Sequence, residues 1–157
     1  MLRLFDHGGE ATWLRSFRFS VDVRPRYCET DALGHVSNVV YPEYLEFGRL
    51  QYFSAIGDPE PSPFAFAHVT AELRLRYLAA CYYDERLEVR SRLVRLGRSS
   101  ATMEQAIVGG NESLRTISVV TVVRSAGDRT THWTPAQRAA IERFEPLLCG
   151  HPALTEH

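Results

Sequence analysis

Lysine is absent from this sequence: all 18 residues counted as lysine plus arginine are arginine. A Schiff-base or nucleophilic lysine is thereby excluded, and with it one branch of covalent catalysis. Cysteine is scarce. Cys28, Cys81 and Cys149 are odd in number and far apart, with neither the close pairs of a zinc site nor the density of a disulfide scaffold. Reduced thiols in a cytoplasm, and no metal centre, are the expectation. An excess of one charge is missing as well. The 18 cationic and 19 acidic residues leave a formal net charge of -1, so no global basic field draws nucleic acid or an anionic membrane, and neither is expected as a partner. Long apolar runs are lacking too. The opening MLRLFDHGGE is broken by Asp6, His7 and Glu10 and reads as neither a secretion signal nor a membrane span.

What is present suits one globular domain over 1–157, with 45% hydrophobic and 24% charged residues and no repeat or low-complexity tract. From Ser16 to Arg24 the residues alternate, placing Phe17, Phe19, Val21 and Val23 on one face of a half-buried strand. Between Asn38 and Gly57 the period becomes helical. Tyr41, Tyr44, Leu45, Gly48, Tyr52, Ala55 and Ile56 fall on one stripe, Pro42 suits the first turn and Gly57 suits the C-cap. Gly48 costs about 1 kcal/mol of helix propensity relative to alanine, which points to close helix-to-sheet contact or to room for a ligand chain.

Alternation returns after the loop Asp58–Pro63. Leu73, Leu75 and Tyr77 oppose Glu72, Arg74 and Arg76, and then Leu87, Val89 and Leu93 oppose Glu88, Arg90 and Arg92. Arg98–Val108 and Leu114–Arg124 form a hairpin around Gly109, Gly110 and Asn111, residues suited to a reversal with positive φ. Thr134, Pro135 and Gln137 combine an N-cap hydroxyl, a proline at the first helical position and a capping-box partner. One long helix followed by a series of antiparallel strands predicts an α+β fold: a sheet wrapped around a central helix, with a short C-terminal helix.

Polar chemistry is densest in RYCETDALGHVSNVVYPEYLEFGR, from Arg26 to Arg49. With its Glu-Thr-Asp, Gly-His-Val, asparagine and spaced tyrosines, this stretch resembles the 4-hydroxybenzoyl-CoA thioesterase group of acyl-CoA thioesterases, which share the hotdog fold. A second segment, RLGRSSATMEQ from Arg95 to Gln105, resembles the strand-turn-strand region that borders the CoA nucleotide in those enzymes. The resemblance spans roughly Ser16 to Arg124.

It implies hydrolysis of an acyl-CoA or acyl-carrier thioester, with CoA as part of the substrate and no separate cofactor. Asp31 stands where that family has its nucleophile or general base, and Asn38 where a backbone N–H polarises the thioester carbonyl. A helix N-terminus offers unpaired donors and partial positive charge where an oxyanion develops, so the chemistry is reasonable. Arg95, Arg98, Ser99 and Ser100 are candidates for phosphate contacts. His35 and Tyr41 are candidates for the substrate pocket. A homodimer or homotetramer joined edge to edge is also implied.

Each residue has a plainer reading. Asp31 can cap the turn that follows it, and Asn38 can cap its own helix. His35 can pack or hydrogen-bond within its turn, Glu46 and Arg49 can pair on the helix surface, and Glu29 can orient its neighbours or face solvent. An enoyl-thioester hydratase pairing Asp31 with His35, or a noncatalytic acyl-CoA or acyl-carrier binding module, is the alternative function.

Overall fold

A computed structural model describes residues 9–59, 66–146 and 148. Among them, six strands make one antiparallel sheet: β1 (Phe19–Val23), β2 (His68–Tyr77), β3 (Leu87–Leu96), β4 (Ser100–Gly109), β5 (Ser113–Ala126) and the two-residue β6 (Arg129–Thr130). Their order across the sheet is β1-β3-β4-β5-β2, with β6 extending β5 as a hairpin. The strands consecutive in sequence at the start, β1 and β2, are therefore the two edges. They lie about 19 Å apart at four inter-strand spacings. The segment between them must cross the sheet, and helix α2 (Val40–Ile56), about 25 Å long, does so over β1, β3 and β4. This is the expected α+β arrangement of a sheet around one long helix.

The buried stripe of α2 holds it there. Tyr52 and Phe53 pack against Leu93, Met103, Val120 and Val122, while Tyr41, Tyr44 and Leu45 pack against Leu87, Val89 and Ile107. Gly48 is explained by close approach: a Cβ at this position would stand 2.4 Å from Cγ1 of Val89. Gly57 ends the helix at φ 76, a left-handed value that suits glycine. The C-terminal helix α3 (Pro135–Phe144) starts with the expected capping box. Thr134 Oγ1 accepts from the Gln137 N–H, and Gln137 Oε1 accepts from the Thr134 N–H.

Several expectations are corrected. A seven-residue helix, α1 (Gly9–Arg15), precedes β1 and covers the outer face of the sheet. Phe17 lies outside β1 and packs with Trp13, Leu14 and Ile117 on that outer face, so it does not share the inner face of Phe19, Val21 and Val23. Arg92, expected on the solvent side of its strand, is 3% exposed and forms an ion pair with Glu104 at 2.6 Å. The Trp13 indole N–H donates to the same Glu104 oxygen at 2.8 Å. Covering by α1 makes a solvent-side position interior, and pairing makes its charge tolerable there.

Arg49 is likewise buried, and its guanidinium donates to Gln105 Oε1 at 3.1 Å rather than pairing with Glu46 on the surface. Ala55 is exposed, because the helix end has left the sheet. In the β4–β5 turn positive φ falls on Asn111, as expected, and on Glu112, but not on Gly109 or Gly110. The loop expected over Asp58–Pro63 lies only in part within the described residues, and Cys149 lies outside them.

Candidate active site

The segment from Glu29 to Ser37 folds as a miniature hairpin. The Asp31 N–H donates to the His35 carbonyl at 2.8 Å, the Ser37 N–H to the Glu29 carbonyl at 2.8 Å, and Thr30 bridges Val36. Gly34 takes φ 76 at the apex, which suits a residue without Cβ. Asp31 closes its own turn: Oδ1 accepts from the Leu33 N–H at 2.8 Å and the His35 N–H at 3.2 Å. The capping reading of Asp31 is thus realised, and it occupies one carboxylate oxygen. Oδ2 accepts no hydrogen bond among the described residues, and the side chain is exposed.

The far leg of this hairpin is sewn to the chain entering β3. The Val36 N–H donates to the Cys81 carbonyl at 2.9 Å, and His35 bridges Tyr82 with their rings edge to face at 5.2 Å. From α2, the Tyr41 hydroxyl accepts the Cys81 N–H at 2.9 Å. Burial is the main cause that pushes the Tyr41 phenol up to about 12 and the Cys81 thiol up to about 11, so both stay protonated at neutral pH.

The helix starts one residue later than an N-cap at Asn38 would place it. Val40 is its first residue and Val39 its N-cap, with no side-chain cap, so Asn38 does not cap the helix. Its carbonyl instead accepts from the Tyr77 hydroxyl at 2.8 Å. Among the described residues neither the Asn38 nor the Val39 N–H is donated to a hydrogen-bond acceptor, whereas the Val40 N–H is held by the Ser37 carbonyl. A cleft of about 360 Å³ gathers Asp31, His35, Asn38, Tyr41 and Tyr77 above the chain at residues 78–80. The cleft therefore brings a free carboxylate oxygen together with Asn38, whose backbone N–H is unpaired among the described residues.

Arg95, Arg98, Ser99 and Ser100 are not in this cleft. They surround the β3–β4 turn, at the opposite end of the ten-residue β3 from Tyr82, about 33 Å along the strand. Gly97 and Ser100 close the turn, while the Arg98 and Ser100 carbonyls accept from the Trp133 backbone and indole N–H groups. Arg95 and Arg98 are exposed, with no acid partner among the described residues. Within one chain the two sets do not meet.

A larger hollow, about 660 Å³, lies between α1 and the outer side of β1 and β3. Its Arg90 is paired with Glu88 and Glu112, and none of the candidate residues reaches it. Among the described residues no group of three or more His, Cys, Asp or Glu side chains could hold a metal ion.

Residues that sequence reasoning passed over are Tyr77 and the backbone of 78–80, which join the cleft only because edge strand β2 ends beside the start of α2. Glu29, for which the sequence left orienting its neighbours or facing solvent, does not face solvent: it is buried and bonded to Tyr44.

A carboxylate on a tight turn beside the start of a sheet-wrapped helix is the arrangement that the resemblance to hotdog-fold thioesterases implies, and the comparisons bear out that class of thioester hydrolases. The profile of the thioesterase-like superfamily matches residues 23–141, and the chain belongs to that family. A thioesterase from Thermus thermophilus, solved in complex with coenzyme A and Zn, is 30% identical. The match covers 88% of this chain and 98% of that one, with a TM-score of 0.74. The uncharacterized protein YsmA of Bacillus subtilis (strain 168) is 29% identical over 133 residues, 82% of this chain and 88% of the relative. The DHNA-CoA thioesterase of Staphylococcus aureus shares the fold at 19% identity, with a TM-score of 0.70 over 82% of this chain and 91% of that one.

Proposed function

We propose that this protein hydrolyses an acyl-CoA thioester to a carboxylic acid and free CoA, with Asp31 as its catalytic carboxylate. The observation that carries this reading is the uncommitted Oδ2 of Asp31 in the same cleft as Asn38, whose backbone N–H is unpaired among the described residues. Coenzyme A in the Thermus thioesterase, which aligns over 88% of this chain, supports CoA as the thiol portion.

The thioester carbonyl oxygen takes hydrogen bonds from the N–H groups at Asn38 and Val39, where the developing negative charge is stabilised by fixed donors and the helix dipole. The Asp31 carboxylate then adds to the carbonyl carbon, giving a mixed anhydride that water opens, or it takes the proton of a water that adds directly. Either route expels a thiolate, a good leaving group that needs no strong acid. His35 and Tyr41 form the wall for the acyl group. A hydratase pairing Asp31 with His35 gains no support from the His35 ring, which is engaged against Tyr82.

Strand β2 is an unpaired edge of ten residues, and such an edge is a template for another strand. We read it as the seam of a homodimer that brings the Arg95–Ser100 turn of one copy toward Asp31 of the other, there to hold CoA phosphates. The single domain acts in a cytoplasm, where the free Cys28 and Cys81 remain reduced. Among the described residues no helix is long and apolar enough to cross a membrane.

The test is release of free thiol from short, long and aromatic acyl-CoA esters by wild type and Asp31→Asn. Turnover by wild type and its loss in Asp31→Asn is the expected result; equal turnover by both overturns the mechanism, and no turnover on any ester overturns the assignment to CoA thioesters. Native mass spectrometry on the same protein reads the dimer.

A further inference from the structure

We propose that Glu29, through its hydrogen bond with Tyr44, is the positioning residue that sets the Asp31 turn against the start of α2. This rests on the reading of Asp31 as the catalytic carboxylate. Glu29 is only 9% exposed, although it ends a single 3-10 turn (Tyr27–Glu29) two residues from an exposed aspartate. Removing a carboxylate from water is costly unless its oxygens are bonded. Here both are: Oε2 accepts the Tyr44 hydroxyl at 2.6 Å and the Arg26 backbone N–H at 2.7 Å, and Oε1 accepts the Arg26 guanidinium at 2.9 and 2.7 Å. Burial pushes the carboxyl up, but the bonds from Arg26 and Tyr44 outweigh it and hold Glu29 below its usual range. Burial also pushes the Tyr44 phenol upward, with Glu29 adding to the effect. The pair is therefore a carboxylate and a neutral hydroxyl at any physiological pH.

Three parts of the site converge on this residue. Its side chain binds Arg26, where the loop enters. Its carbonyl accepts the Ser37 N–H at 2.8 Å, from the opposite leg of the Asp31 hairpin. Its Oε2 reaches Tyr44, which lies 15 residues away and one turn beyond Tyr41 of the cleft wall. The hairpin itself is made stiff by Asp31 Oδ1 and by the Thr30–Val36 bridge. Its backbone ties at Val36 and His35 run to Cys81 and Tyr82 rather than to the helix. The Glu29–Tyr44 bond thus adds a side-chain tie, one turn into the helix, to the backbone bond from the Val40 N–H to the Ser37 carbonyl that joins the carboxylate-bearing turn to the helix start. A charged acceptor at 2.6 Å makes the side-chain tie one of the stronger kinds of hydrogen bond.

The two halves of such a site must agree closely, since a displacement of about 1 Å can lower a rate about 10²-fold. The measurement is steady-state thiol release with an accepted acyl-CoA ester, together with thermal melts, for wild type, Tyr44→Phe, Glu29→Ala, Glu29→Gln, Arg26→Ala and Asp31→Asn. Tyr44→Phe keeps the ring in the core and removes only the hydroxyl. Its kcat should fall about 10- to 100-fold, with KM within about twofold of wild type. Glu29→Gln retains an oxygen that can accept from Tyr44, so its kcat should lie between those of Glu29→Ala and wild type. Arg26→Ala leaves the Tyr44 bond in place and should lose the least.

Wild-type kcat in Tyr44→Phe overturns the proposal. So does a loss of activity that disappears on cooling in step with a lowered Tm, because it would mean that the bond only stabilises the fold. Failure of the catalytic reading is separately visible. If Asp31→Asn turns over like wild type, that reading falls and takes the positioning role with it, whereas an inactive Asp31→Asn beside a fully active Tyr44→Phe removes the positioning role alone.

Discussion

The Tyr77 hydroxyl donates to the carbonyl oxygen of Asn38 at 2.8 Å, binding the end of edge strand β2 to the peptide that leads into α2. That peptide is planar and trans, so holding its carbonyl also fixes the direction of the Val39 N–H on the opposite side. Tyr77→Phe preserves the edge-to-face contact with Tyr41 at 5.2 Å and loses only this restraint. The expected result is a drop in kcat of about tenfold, smaller than the roughly 10²-fold loss that follows deletion of an oxyanion donor. Thiol-release kinetics beside an unchanged circular dichroism spectrum checks it.

Asp31 has a structural task on Oδ1 and a proposed chemical task on Oδ2, and two substitutions separate them. Asp31→Asn keeps an oxygen for the Leu33 and His35 N–H groups and should leave Tm nearly unchanged while lowering kcat by about 10² or more. Asp31→Ala loses both turn bonds and should also lose about 1 kcal/mol of stability. Denaturant unfolding of the two variants measures the difference. Equal stability would mean that the turn does not need its cap.

Gly48 faces Val89 at a separation that leaves no room for a methyl group. Alanine there would gain about 1 kcal/mol of helix propensity, but overpacking costs about 1–3 kcal/mol. The Tm of Gly48→Ala should therefore fall. A raised Tm in a thermal melt would show that α2 shifts away from β3 without penalty.

His68 begins β2 with its ring against Phe53 and its Nδ1 2.7 Å from the Phe66 carbonyl. Burial, first, and the nearby Arg49 push it below its ordinary 6.5, against the opposing effects of the Phe66 bond and Glu46. The folded state therefore takes up this proton less readily than the unfolded chain. Its contribution to stability is complete above pH 6.5 and is lost as the pH falls through that value toward the lower folded-state pKa. Between about pH 7 and pH 5, wild type should lose Tm more steeply than His68→Phe. Parallel melting curves for the two proteins would contradict this.

The elements that were legible in the sequence are those specified by local rules. Alternation marked the strands, the stripe from Tyr41 to Tyr52 marked α2, Gly57 marked its end, and Thr134 with Gln137 marked the start of α3. The Glu29-to-Tyr44 stretch pointed to the family because its motif is contiguous. Errors arose where a neighbour remote in sequence decides the environment. Arg92 alternates as a solvent-facing residue, yet α1 covers it and Glu104 pairs with it. Arg49 has helix-surface spacing from Glu46, yet the absence of a side chain at Gly48 draws that face of the helix down to Gln105.

The same division runs through the candidate site. Residue order by itself determined that a carboxylate would sit on a tight turn just before a helix, because turn chemistry and helical periodicity act over a few neighbouring residues. Only the tertiary structure decided that Tyr77, 39 residues beyond Asn38, would meet the helix start, and that the Arg95–Ser100 turn would lie at the far end of β3. Sheet order is set by which strands can pair and bury their faces together, a choice made by the whole chain at once and written in no single segment.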